Sequence, residues 1–247
     1  HGSGKPDSTG AISPAIYMSS TFTHPGLGET TGFQYTRESN PTRDRLETLI
    51  AGLEEGTDAI AFSSGMAAVD AVFHLFSPGD HVILGDDLYG GSIRLFTNIY
   101  EKNGVEFTYV GTSDLDAVQA AFKPNTKAVY IETPTNPMME ITDVRALSKM
   151  AHDRNALVIV DNTFLSPYFQ KPLNLGADIV VHSGTKFISG HHDVISGFTI
   201  VKDDELAAQL RLIYKTVGAC LSAFDSWLVI RGIKTLALRM EQHQKNA

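Results

Sequence analysis

Short apolar runs alternate along this chain with stretches of helical periodicity, and this alternation constrains the fold more than any other feature. Two of the runs, "LVIV" and "DIVV", suit strands that are buried on both faces of a sheet. Strands separated by helices predict an α/β fold with a mainly parallel sheet and right-handed crossovers. The predicted strands are Ala59–Phe62, His81–Leu84, Val105–Val110, Lys127–Glu132, Leu157–Asp161, Ile179–His182 and Gly197–Val201.

The stretches between these runs have the spacing of amphipathic helices. Asp44–Gly52 places Leu46, Leu49 and Ile50 on one side and ends at a glycine. Beyond the last strand the chain is mostly helical, and it finishes in the long amphipathic segment "RGIKTLALRMEQHQKNA", for which we expect a continuation to pack against. The other predicted helices are Met66–Phe76, Ser92–Asn103, Leu115–Phe122 and Asp143–Asn155.

The first 45 residues differ from the rest, since they are rich in Gly, Pro, Ser and Thr and have little periodicity. We expect residues 1–45 to form an extended arm and residues 46–247 to form one large domain.

Charge and composition exclude several classes of function. A formal net charge of −8, without a cluster of Lys and Arg, argues against binding to nucleic acid or to an anionic membrane. No apolar run approaches the roughly 20 residues of a transmembrane helix. The single cysteine, Cys220, allows no internal disulfide, which is typical of the cytoplasm. We therefore expect a cytoplasmic protein.

Polar residues follow the predicted strands, at the edge where open α/β sheets bind their ligands. A serine and a glycine lead from the first strand into a helix, and an aromatic residue, an amide, a carboxylate, two hydroxyls and a lysine follow later strands. These residues are Ser64, Gly65, Met66, Tyr89, Asn136, Asp161, Ser183, Thr185 and Lys186.

This set of side chains matches the chemical requirements of pyridoxal phosphate (PLP). A phosphate binds at a helix N-terminus that has a close-approach glycine, as at Ser64–Met66. Asp161 suits the pyridine nitrogen, because a carboxylate keeps that nitrogen protonated. Tyr89 offers an aromatic face for the ring, and Lys186 offers an amine for a Schiff base with the aldehyde. Ser183 and Thr185 flank Lys186 and are candidate phosphate ligands.

Each of these residues taken alone also has a simpler structural interpretation. Ser64 suits a helix N-cap, Asp161 a turn, Tyr89 partial burial and Lys186 a solvated surface. The prediction therefore depends on all of them leaving strands on the same side of the sheet. A metal site at 191–193 is disfavoured, because consecutive histidines point apart and neither HExxH nor CxxC is present.

Two other classes of protein remain as alternatives. A nucleotide-binding oxidoreductase would carry a GxGxxG motif after a strand, and the sequence has none. A non-catalytic binding protein would require the cofactor-like set, including Lys186, to have arisen by accident.

Several long motifs together resemble the Cys/Met-metabolism family of PLP enzymes, the trans-sulfuration enzymes. The motifs are "AFSSGMAA", "DDLYGGSIRLF", "ETPTNP", "VDNTF" and "VHSGTKFISGHHD". The resemblance implies an aspartate-aminotransferase-like large domain of fold type I, with a seven-stranded type of sheet flanked by helices. It also implies a C-terminal small domain that is absent from this chain, and with it the arginine that binds the substrate carboxylate.

The resemblance implies a role for each candidate residue. Lys186 would carry PLP and, with Tyr89, would be catalytic, while Tyr89 would also stack on the ring. Asp161 would pair with the pyridine nitrogen and Asn136 would lie near the ring hydroxyl. The phosphate would be held by Gly65, Met66, Ser183 and Thr185.

The segment "FQYTRESNPTR" resembles a family segment whose tyrosine and arginine reach the phosphate of the neighbouring subunit. The resemblance thus implies that Tyr35 and Arg37 complete a partner's site in a homodimer or homotetramer.

The segments "GLGETTGFQYTRESNPTRD" and "FDSWLVIRGIKTLALRME" are most similar to cystathionine γ-synthases and O-acetylhomoserine sulfhydrylases. This similarity implies γ-replacement on an O-acylhomoserine by a thiol or sulfide. A cystathionine β- or γ-lyase stays open as the alternative. Methionine γ-lyase is less favoured, because Gly91 stands where that enzyme has a cysteine.

Overall fold

The computed structural model describes residues 9–247, so the first eight residues of the predicted arm lie outside the described residues. Seven strands form one sheet in the spatial order β1-β7-β6-β5-β4-β2-β3. The strands are β1 Asp58–Phe62, β2 His81–Gly85, β3 Glu106–Val110, β4 Thr126–Glu132, β5 Leu157–Asp161, β6 Ile179–His182 and β7 Gly197–Val201.

The sheet is mainly parallel, as the sequence predicts, and β7 is the exception. β7 runs antiparallel to both of its neighbours, β1 and β6. The other pairings, from β6 across to β3, are parallel. Because β1 and β6 are both opposed to β7, they point the same way. The carboxyl ends of β1, β2, β4, β5 and β6 therefore share one edge of the sheet.

Helices cover both faces of the sheet. Strand residues alternate between the faces, so Val181 packs in the cluster beneath α2 and α7 while Val180 packs in the cluster beneath α1 and α8. Burial on both sides accounts for the continuous apolar runs of these strands. The helices are α1 Pro41–Glu54, α2 Gly65–Phe73, α3 Gly90–Leu95, α4 Leu115–Ala121, α5 Val144–His152, α6 Ser166–Phe169, α7 Asp204–Val217, α8 Ala223–Ile233 and α9 Leu236–Asn246.

Three helix predictions are corrected by the structure. Helix α1 begins at Pro41, because Asn40 caps it by accepting the N–H of Thr42 at 2.9 Å. The predicted Ser92–Asn103 helix is α3 followed by a π-helical turn at Phe96–Tyr100. The long final helix is divided between α8 and α9, which are separated by Lys234 and Thr235.

Candidate active site

The N-terminus of α2 and the turn after β6 meet at the shared edge of the sheet. Ser64 caps α2, and its Oγ accepts the N–H of Ala67 at 3.1 Å. A Cβ added at Gly65 would lie 2.8 Å from the Cβ of Ser183, so only glycine allows this approach. A Cβ at Gly197 would lie 2.1 Å from the carbonyl oxygen of Ser64. Two glycines thus bring the first and sixth strand exits together.

Asp161 ends β5 at the same edge, and it is 9% exposed. Its Oδ1 accepts the N–H of Thr163 at 3.0 Å, and Tyr130 donates to its Oδ2 at 3.4 Å. Burial raises the pKa of Asp161, while hydrogen bonds from Thr163 and the positive field of His182 lower it. Because few donors contact this buried carboxylate, it can accept a hydrogen bond from a further N–H or O–H group.

Thr163 connects Asp161 to the turn that carries the candidate lysine. The Thr163 hydroxyl hydrogen-bonds the Asp161 carboxylate and accepts the N–H of Ser183 at 2.8 Å. The candidate ring partner and a candidate phosphate ligand are therefore fixed relative to each other.

Tyr89 lies at the exit of β2 and remains 48% exposed. A Cβ at Gly91 would lie 2.3 Å from the Tyr89 ring and 3.0 Å from the sulfur of Met66. Gly91 thus makes room for both side chains, and Tyr89 and Met66 lie together beside it. The backbone N–H of Tyr89 donates to Glu132 Oε2 at 3.0 Å.

Lys186 follows β6 on a turn and its side chain is exposed. The turn is held by bonds from Lys186 N–H to the Ser183 carbonyl at 3.2 Å and from Gly190 N–H to the Lys186 carbonyl at 2.9 Å. The Thr185 hydroxyl donates to the Ser196 carbonyl at 3.1 Å and accepts the Ser196 N–H at 3.0 Å. This hydroxyl is thus engaged in tying the lysine turn to the segment before β7. Asn136, at the exit of β4, is also exposed.

Tyr35 and Arg37 form a separate pair. The Arg37 guanidinium lies over the Tyr35 ring, 5.3 Å from its centroid, and donates to the backbone carbonyl of Lys215 at the end of α7. Within residues 9–247 the described contacts of this pair do not include Lys186 or Asp161. Tyr35 remains 43% exposed. The structure therefore leaves these two residues outside the cluster that the other candidates form.

Glu132 is a residue of this site that the sequence analysis did not single out. It ends β4 directly opposite Asp161, is 7% exposed, and accepts the backbone N–H of Tyr89. Burial, and next the charge of Asp161, raise the pKa of Glu132 to about 7. A signal was present, because an acidic residue ends a predicted strand whose neighbours are apolar. Thr163 was likewise given no role.

Two findings bear on other functions. Among residues 9–247, no group of three or more His, Cys, Asp or Glu side chains is placed to hold a metal ion. No helix in that same part of the chain is long and apolar enough to cross a membrane.

The residues at this edge fit PLP. The glycine-lined approach of α2 to Ser183 leaves a helix N-terminus open to a phosphate. The buried Asp161 suits a protonated ring nitrogen, Tyr89 offers an exposed aromatic face, and Lys186 offers an accessible amine.

A family model described as "Cys/Met metabolism PLP-dependent enzyme" matches residues 1–247. The chain belongs to this family. The family and cofactor expected from the sequence are thereby confirmed.

Known members of the Cys/Met family are closely similar to this chain. Cystathionine γ-lyase of Bacillus subtilis (strain 168) is 51% identical over 241 residues, which cover 98% of this chain and 64% of that protein. Cystathionine γ-synthase/O-acetylhomoserine (thiol)-lyase of the same organism is 49% identical over 239 residues, with 97% and 64% covered. The chain therefore spans less than two thirds of the length of these relatives.

A solved structure supports the same assignment of the fold. Cystathionine γ-lyase from Lactobacillus plantarum, complexed with L-serine, superposes with a TM-score of 0.97 at 49% identity. The match covers 100% of this chain and 65% of that one. The predicted fold type I large domain, with its mainly parallel sheet, is confirmed.

Proposed function

We propose that the protein uses PLP for γ-replacement, in which a thiol or sulfide displaces the acyloxy group of an O-acylhomoserine. PLP chemistry is supported by the position of five candidate residues at one edge of the sheet in a chain of this family, namely Gly65, Tyr89, Asp161, Ser183 and Lys186. The choice of γ-replacement follows the similarity of the segments "GLGETTGFQYTRESNPTRD" and "FDSWLVIRGIKTLALRME". PLP, when bound, supplies an electron-withdrawing ring that stabilises negative charge on the substrate α-carbon.

The other steps of the reaction are assigned to individual residues of the chain. Lys186 binds the cofactor and, through Nζ, moves the proton of the substrate α-carbon. Asp161 would accept a hydrogen bond from the protonated ring nitrogen, and its burial would exclude water from that contact. Tyr89 would offer its exposed aromatic face to the ring and would assist departure of the leaving group. The amides at the start of α2 and the hydroxyl of Ser183 bind the phosphate.

A C–S lyase is the second candidate, and the relatives support it equally. A cystathionine γ-lyase and a cystathionine γ-synthase/O-acetylhomoserine (thiol)-lyase match this chain at 51% and 49% identity. Both activities draw on the same residues of this domain. Methionine γ-lyase is less favoured, because Gly91 stands where that enzyme has a cysteine.

We also propose that Tyr35 and Arg37 complete the site of a second copy of the chain. The pair is exposed on the tyrosine side and makes its contacts with α7 rather than with Lys186. Arginine suits this role because its planar guanidinium matches the geometry of a phosphate.

Steady-state assays on the full protein separate the two candidate reactions. With O-acetylhomoserine or O-succinylhomoserine and a thiol, γ-replacement predicts a thioether product whose formation depends on the thiol. A lyase predicts release of an oxo acid and ammonia from cystathionine without any thiol. Oxo-acid release from cystathionine with no thioether formation would overturn the first proposal in favour of the second.

A further inference from the structure

The side chain of Glu132 lies between the two loops that carry Tyr89 and Asn136. Its Oε2 accepts the backbone N–H of Tyr89 at 3.0 Å. A weaker contact comes from the backbone N–H of Asn136, and both amides stabilise the carboxylate form. A second hydrogen bond joins the same two loops, in which Asp87 Oδ2 accepts the N–H of Met138 at 3.1 Å. Glu132 thus contacts the backbone of the two residues expected to flank the PLP ring.

The position of Glu132 is electrostatically unfavourable for a carboxylate. It is 7% exposed and is paired in register with Asp161, the second buried carboxylate of this edge. The groups that face it are Asp161 on β5 and Asp87 after β2, both negative, together with the amides of Tyr89 and Asn136. The charge of Glu132 is therefore balanced by backbone N–H groups and by no side-chain cation among those contacts.

We propose that Glu132 is a positioning residue, whose carboxylate fixes the loops of Tyr89 and Asn136 beside Asp161 and so shapes the PLP site. A carboxylate has two oxygens that accept strongly, whereas a neutral carboxyl or an amide keeps one. A glutamine at this position keeps one uncharged acceptor oxygen, so it would bind the two loops more weakly. This proposal rests on the cofactor site of the proposed function, but it is independent of which reaction follows.

The proposal implies that the site responds to pH near neutrality. Burial and Asp161 raise the pKa of Glu132 from 4.5 to about 7 in the folded protein. Between these two values the folded state retains a proton that the unfolded state has released, so ionisation of Glu132 destabilises the fold as pH rises through the interval. The same ionisation strengthens the hydrogen bonds that the backbone N–H groups of Tyr89 and Asn136 donate to Glu132. Higher pH should thus weaken the apoprotein while it tightens the binding of PLP.

The experiment compares the full protein with two variants, Glu132→Gln and, as a matched control, Glu140→Gln. Glu140 is an exposed glutamate on the same loop as Asn136, so the control removes an equal charge nearby. Two quantities are measured from about pH 5 to 9. They are the melting temperature of the apoprotein and the dissociation constant of PLP, and neither requires a substrate.

We expect Glu132→Gln to bind PLP roughly tenfold more weakly above pH 7, as the loss of one charge-assisted hydrogen bond predicts. We expect its melting temperature relative to wild type to rise as pH increases from about 4.5 to about 7, and to level off above 7. Glu140→Gln should follow wild type in both measurements. Wild-type PLP affinity together with a melting-temperature difference that does not vary with pH would overturn the proposal.

A second variant keeps the test decisive if Glu132→Gln does not fold. Glu132→Asp retains the charge but is one methylene too short to reach both loops. It should keep the pH-dependent change in melting temperature and still bind PLP more weakly than wild type. Unchanged PLP affinity in this variant would also overturn the proposal. If the γ-replacement assays fail, the PLP affinities and melting temperatures of the variants can still be interpreted, because PLP binding does not depend on which reaction follows.

Discussion

His182 Nε2 and Glu54 Oε1 lie 2.5 Å apart, and neither side chain has any exposed surface. The contact joins the last residue of α1 to the last residue of β6, just before the turn that carries Lys186. Asn162 donates to the same oxygen of Glu54 at 2.8 Å. The polar cluster therefore anchors the strand exits of β5 and β6 to α1, on the face of the sheet opposite Asp161.

We predict that Glu54→Ala destabilises the protein by about 3–5 kcal/mol, because it leaves His182 and Asn162 buried without their shared acceptor. Urea unfolding of the full apoprotein measures this loss. The matched control is Lys171→Ala, which breaks the neighbouring Glu55–Lys171 pair at the surface. A much smaller loss is expected there, since water replaces the lost contact. Equal losses in the two variants would contradict a buried anchor.

Replacement of the candidate Schiff-base lysine should abolish turnover. Lys186→Ala removes the amine that binds PLP and moves the α-proton, so the cofactor should remain only non-covalently bound. Borohydride reduction followed by peptide mapping identifies the attached residue directly. Lys149, a solvated lysine of α5, serves as the control position, because Lys149→Ala should leave labelling and activity unchanged. Label on any lysine other than Lys186 would refute the assignment.

Asp161→Asn should lower kcat at least about tenfold while the protein stays folded. An amide cannot hold the ring proton as a carboxylate does, and a charge-assisted hydrogen bond is worth about 1.5–3 kcal/mol. Circular dichroism checks the fold, and steady-state kinetics give the loss. Asp178→Asn serves as the control, because Asp178 directly precedes β6 and so lies at the opposite edge of the sheet. Near-wild-type turnover in Asp161→Asn would exclude its role at the ring.

The shared site can be tested by mixing two inactive variants, Arg37→Ala and Lys186→Ala. After subunit exchange, a mixed dimer holds one site with an intact Lys186 and an intact Arg37 from its partner. About one site in four should then be active at random mixing in a twofold dimer. Exchange is verified with differently tagged subunits. If exchange is complete and no activity returns, or if Arg37→Ala is fully active alone, each site belongs to one subunit.

The sequence predicted the strands well because each is a short apolar run bounded by polar exits. β6, for example, was placed at its observed limits, Ile179–His182. The α3 helix was predicted less well, since helical periodicity does not distinguish an α-helix from a helix that continues as a π-turn. The break at Lys234 and Thr235 was likewise missed, because neither residue is a strong helix breaker.

The candidate site was predictable as far as it depends on strand exits. Asp161 and Ser183 come together because parallel neighbours expose their carboxyl ends at one edge. The role of Glu132 depends instead on register, since only the pairing of β4 with β5 sets it against Asp161. Register joins residues far apart in sequence, and no local pattern encodes it. The pairing of Arg37 with the end of α7 was unpredictable for the same reason.

The place of β7 in the sheet has a consequence for the order of folding. β1 reaches the rest of the sheet only through β7, so residues 58–62 must wait for residues 197–201 before they have a partner strand. During synthesis the N-terminal half emerges first, and closing so long a loop is slow. The contact of Gly65 with Ser183 likewise joins residues far apart in the sequence, so it also closes a long loop. Competence to bind the phosphate should therefore appear late, as one of the last steps in folding of the domain.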